Sequence, residues 1–107
     1  MEEPLKAIEY LQKNSREYAQ AKAQRVLIEN SLKSVKSELI GQSDAKTFGD
    51  REAEAYAHPT YKQQLAGLAQ AVETEEYLRY MLEAAKLKIE IWKTNQFTVR
   101  TEMKLGL

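Results

Sequence analysis

The segment EIWKTNQFTVR, residues 90–100, carries the only Trp of the chain and one of its two Phe, set between Lys93 and Arg100. Basic side chains beside an aromatic suit single-stranded nucleic acid, because cations neutralise phosphates while ring faces stack on bases. Arg79, Lys86, Lys93 and Arg100 stand seven residues apart, which lines them up as one ridge on a helix. Lys88 and Lys104 fall on nearby turns. The ridge is interleaved with Glu83, Glu90 and Glu102, several at three- or four-residue spacing, the pattern of a solvated flank held by helix-stabilising pairs.

Catalytic constellations are weaker. His58, the only histidine, precedes Pro59, where a capping or turn role is the simplest account. With no cysteine there is no thiol nucleophile, thiolate metal site or disulfide. Asp44, Asp50, Glu52 and Glu54 lack the alternation and glycine of a calcium loop, and a short helix with Asp50 as N-cap and Glu52 and Glu54 in its first turn accounts for three of them. SDAK at 43–46 matches a Ser-x-x-Lys pattern without its companion motifs, and no glycine-rich loop is present to cradle phosphate. The expectation is a protein that is not an enzyme, with no catalytic residue, no cofactor and no metal.

The 107 residues allow one domain, and 30% charged residues with four Gly and two Pro fit a mostly helical chain. The formal net charge of zero argues against coating nucleic acid by bulk electrostatics. It hides an uneven distribution: residues 5–40 and 77–107 each carry a net +3, and residues 41–76 a net −4. The start MEEPLKAI is acidic without an apolar stretch, and no run approaches the roughly 18 apolar residues of a membrane span. A soluble, cytoplasmic protein without membrane contact is expected.

Two arms must position these residues. In the first, Ala7, Leu11, Asn14, Tyr18, Ala21, Arg25, Ile28, Leu32, Val35 and Leu39 fall on alternating three- and four-residue steps, the seam of a coiled-coil-like helix. Pro4 suits a helix start after Glu2 and Glu3, whose charges complement the dipole, and Gly41 supplies a stop. In the second arm the spacing continues through Leu68, Ala71, Glu75, Leu78, Leu82, Ala85, Ile89, Trp92, Gln96, Val99 and Met103. Pro59 opens that helix. The reading is an all-α single domain over 1–107: helix one at about 4–40, a connector with a short helix at 41–58, and helix two at about 59–104.

Two long helices with a short connector fold back as an antiparallel hairpin, since that buries both seams. Positions whose numbers sum to 100 then face each other: Leu11 with Ile89, Tyr18 with Leu82, Leu32 with Leu68, Leu39 with Tyr61, and Arg25 with Glu75. The last is a register pair, because any slip leaves a charge alone among apolar neighbours. The expected rod, about 54 Å long from ~1.5 Å per residue, is electrically polar: its basic half joins helix two to Lys6, Lys13 and Arg16. Helix two carries a second stripe, Tyr77, Tyr80, Ala84, Leu87 and Ile91, on roughly the opposite face. A helix apolar on two faces needs two partners, so a homo-oligomer is expected, most simply a dimer forming a four-helix bundle.

Residues 55–103 show an Ala-rich lead, His58 and Tyr61, a GL-x-x-A step at Gly67–Ala71, LR at Leu78–Arg79, IE-x-W at Ile89–Trp92, and Arg-x-Glu at Arg100–Glu102. In these features the segment resembles the C-terminal half of a family of small helical bacteriophage and prophage proteins of uncharacterised role. The resemblance implies a phage early-region protein encoded near recombination or replication factors, and it brings no catalytic residues. The functional expectation is a self-associating helical adaptor that docks a replication or recombination protein. The alternative is direct binding of single-stranded nucleic acid along the ridge.

Overall fold

The computed structural model describes residues 4–106. Among them are three helices and no strand: α1 (Leu5–Gln42), α2 (Phe48–Ala57) and α3 (Pro59–Lys104). The fold is a long-helix hairpin in which α1 packs against α3, with short α2 between them in the chain. Glu2 and Glu3, expected to favour the start of α1, lie outside the described residues. Contacts divide the chain into two compact units, one built from the residues up to Tyr18 with those from Tyr77 onward, the other from Ala19–Glu76.

The helix ends differ in detail from the expectation. Gly41 does not stop α1, which runs on to Gln42, and the only described residue with positive φ is Gly106. Ser43 ends the helix instead. Its N–H donates to the Ile40 carbonyl at 3.3 Å, and its hydroxyl accepts the Ala45 N–H at 3.1 Å, a side-chain turn that competes with helix propagation. Asp50 is not the cap of α2. Thr47 is extended (φ −107°, ψ 153°), and its Oγ1 accepts the Asp50 N–H at 3.1 Å, which places Asp50 in the first turn with its carboxylate near the positive dipole end. Between α2 and α3, His58 takes the extended conformation a residue before proline prefers, and Pro59 begins α3. The His58 Nδ1 accepts the Thr60 N–H at 3.1 Å, so the single histidine caps α3.

In the Ala19–Glu76 unit, Ala21, Ile28, Leu32, Val35 and Leu39 of α1 and Leu68 and Ala71 of α3 are half-buried, and Ala55 is the buried residue of α2. Lys36 ties α1 to α2: its ammonium donates to the Tyr56 hydroxyl at 2.6 Å and lies 3.2 Å from Glu52. The Tyr56 ring meets Tyr61 edge to face, with centroids 5.2 Å apart. In the other unit Ala7, Leu78, Leu82 and Ala85 are buried, and Leu11, Ile89 and Trp92 half-buried. Every residue from Phe97 to Lys104 is exposed, Val99 and Met103 included, although both keep the seam spacing. Pro4, Lys6, Ile91 and Trp92 line one groove, so among the described residues α3 runs on beyond the start of α1.

Candidate interaction surface on the third helix

The stripe on α3 lies open. Tyr77 is 62% exposed, Leu87 59%, and Tyr80, Ala84 and Ile91 are exposed as well. These residues are on a helix whose other side is already committed to α1 through Leu78, Leu82 and Ala85. Single exposed apolar residues are ordinary, whereas a row of them on one face is a candidate interaction surface. The stripe is not isolated from the hairpin contact, as the spacing had suggested. Ala84 and Ile91 also border an open groove of about 500 Å³ whose other wall is α1, through Ala7 and Tyr10. Ala7, Ala84 and Ala85 hold that groove open because their side chains are small, and Lys6 and Lys88 are part of its lining. The groove has little signal in the sequence, since it depends on how α1 is rotated against α3; the only hint is that Ala84 of the stripe and Ala85 of the seam are both small.

The ridge residues are on the same helix. Lys86, Lys93 and Arg100 are exposed and Arg79 half-buried. Arg79 Nη1 donates to Glu83 Oε1 at 3.0 Å, and its guanidinium lies 4.5 Å over the Tyr80 ring. Lys93 Nζ is 3.6 Å from Glu90 Oε1. The aromatic of the opening segment changes identity. Trp92 is half-buried in the groove wall, whereas Phe97 is 72% exposed, with Lys93 and Arg100 one turn to either side of it on the helix.

Arg25 and Glu75 are brought together. Arg25 donates to Glu75 through Nε, and through Nη2 to Oε1 at 3.2 Å, a two-pronged contact that fits the planar guanidinium. Arg25 Nη1 also lies 3.0 Å from Glu29. Glu75 is 6% exposed. Hydrogen bonds to Glu75 first, and then to Glu29, hold the guanidinium still further above its already high range. Hydrogen bonds to Tyr56 and then Glu52 likewise raise Lys36 above the ordinary lysine value.

Ser43, Glu54 and His58 share a small cavity of about 180 Å³, where the Ser43 hydroxyl donates to Glu54 and the His58 Nδ1 is occupied as a helix cap. Ser43 is therefore oriented by Glu54 and the turn, not by Lys46. Among the described residues no three of His, Cys, Asp or Glu are grouped to hold a metal ion, and no helix is long and apolar enough to cross a membrane. Comparison with protein families, curated proteins and solved structures finds no match for the chain.

Proposed function

We propose that this chain is a non-enzymatic helical adaptor or accessory protein of phage or bacterial DNA metabolism, self-associating and acting through protein–protein contacts in the cytoplasm. The observation that carries this reading is the open apolar stripe of Tyr77, Tyr80, Leu87 and Ile91 on the helix that also forms the hairpin. Such a face gains free energy at about 25 cal/mol per Å² when another surface removes it from water. The DNA-metabolism setting, and a replication or recombination protein as the further partner, are what the resemblance of residues 55–103 to phage proteins would imply. Sedimentation equilibrium tests the core of the proposal: the mass should rise above that of one chain with concentration, and Leu87→Glu should abolish the rise. A monomer at every accessible concentration overturns it.

A second reading is favoured by one observation, the exposed Phe97 between Lys93 and Arg100 on the ridge side of α3. In that reading single-stranded nucleic acid lies along Arg79, Lys86, Lys93 and Arg100 with a base stacked on Phe97. Four phosphate contacts would give log K against log salt a slope of about −3. Anisotropy of a labelled oligonucleotide at several salt concentrations measures that slope, and Phe97→Ala should weaken binding without changing it. A flat signal at low salt rejects this reading.

A further inference from the structure

We propose that two copies of the chain pair through α3 in parallel, the acidic flank of each stripe lying along the basic, apolar groove of the other copy. The inference rests on the self-association reading and adds the orientation and the residues that fix it. The stripe runs Tyr77, Tyr80, Ala84, Leu87, Ile91 and has two unlike flanks. Glu76, Glu83 and Glu90 precede Tyr77, Ala84 and Ile91 by one residue on one flank; Met81, Lys88 and Asn95 follow Tyr80, Leu87 and Thr94 by one residue on the other.

Helices paired in parallel bring each flank against the unlike flank of the partner, whereas antiparallel helices bring like flanks together. In parallel, Glu83 meets Lys88 of the second copy, and by symmetry Lys88 meets Glu83, while Glu90 meets Asn95. In the antiparallel pairing that sets Ala84 opposite Leu87, Glu83 meets Glu90 twice. A shift of one turn, with Ala84 opposite Tyr80, sets Glu83 against Glu83. Charge therefore selects the parallel arrangement.

The groove points the same way from an independent side. It lies on the Met81–Lys88 flank, where a parallel partner's glutamates arrive, and Lys6 and Lys88 contribute to its lining. Because α1 runs opposite to α3, Lys6 stands at the Ile91–Trp92 end, the end that Glu90 of the second copy reaches. Glu83 and Glu90 are exposed, each within reach of a neighbouring cation on its own helix, and a shared carboxylate can accept a second cation. The occupant that these charges fit is thus the same helix from another copy.

The chain lacks cysteine, so one introduced thiol reports orientation. In the parallel pairing Thr94 faces Thr94 of the second copy, and Thr94→Cys should link two chains completely under mild oxidation. In the antiparallel pairing it faces Tyr77 and lies about 26 Å from its own mate, from 17 residues at ~1.5 Å each. If Thr94→Cys stays unlinked while an equimolar mixture of Thr94→Cys and Tyr77→Cys links, the orientation is wrong and self-association stands. If the unmodified chain sediments as a monomer throughout, both fall together. Glu83→Lys and Lys88→Glu should each weaken association roughly tenfold alone, and mixing the two variants should restore it through a heterodimer. Equal weakening without rescue on mixing overturns the charge pairing.

Discussion

Leu78 and Leu87 are the same residue type on the same helix, and they have opposite surroundings: 7% against 59% exposed. Leu→Ala removes three carbons, worth ~0.8 kcal/mol each when fully buried. At Leu78 nearly all of that is lost and a cavity remains in the seam, for a cost of roughly 3 kcal/mol. At Leu87 only the covered fraction is lost within one chain, about 1 kcal/mol, part of which the better helix propensity of Ala offsets. At about 4 °C per kcal/mol for a chain of this length, Leu78→Ala should melt ~12 °C lower and Leu87→Ala no more than ~4 °C lower in dilute solution. Melting by far-UV circular dichroism over about a hundredfold range of concentration then separates chain from assembly, because a partner that binds only the folded form raises the melting temperature by mass action. The wild-type midpoint should climb with concentration, Leu78→Ala should climb in parallel from a lower start, and Leu87→Ala should stay flat. A Leu87→Ala loss in dilute solution equal to that of Leu78→Ala would mean the stripe is packed within one chain, and the reasoning fails. A flat wild-type curve would remove the stripe as a self-association face.

Reversing either charge of the Arg25–Glu75 contact should lower the urea midpoint, while the double reversal Arg25→Glu with Glu75→Arg should regain much of the loss; additive losses would show that the two do not interact. Thr47→Ala removes the side chain that accepts the Asp50 N–H and should cost about 1 kcal/mol, seen as faster amide exchange in α2 at unchanged exchange in α3. Lys36 is held above the ordinary lysine value, so its contribution is complete at neutral pH and is lost as the pH climbs through the raised value. The stability gap between wild type and Lys36→Met should therefore narrow only beyond about pH 10.4, and a gap that closes near neutrality would refute the contact.

The hairpin was legible because apolar spacing reports which side of a helix is turned inward. All ten seam positions of α1 are buried or half-buried, as are Leu68 through Gln96 on α3. The same signal misled at Val99 and Met103, since periodicity says that a side is apolar and not that anything lies opposite. The caps are less legible. Asp50 and Gly41 are the residue types that end helices most often, yet Thr47 and Ser43 do so here, because each has a hydroxyl within reach of a free N–H two or three residues on. The stripe on α3 was visible in the sequence, and the groove beside it was not. A groove takes its walls from two helices, and its width depends on which small residues meet, here Ala7 with Ala84 and Ala85.

A seam built on a near-regular repeat carries a problem of its own. Sliding α1 by seven residues past α3 still sets apolar against apolar at most positions, so burial alone discriminates poorly between registers. Such a slip would place Arg25 opposite Leu68 or Leu82, and Glu75 opposite Leu32 or Tyr18. The carboxylate of Glu75, 6% exposed and now held by two hydrogen bonds from the Arg25 guanidinium, would then lose both of them while staying among the seam residues. An uncompensated buried charge costs far more than a paired one contributes, so the contact acts by penalising the alternatives rather than by adding to the stability of the fold. Glu29, one turn along α1 and 3.0 Å from Arg25 Nη1, restrains the guanidinium from its own helix, so less side-chain freedom is lost in making the contact with Glu75.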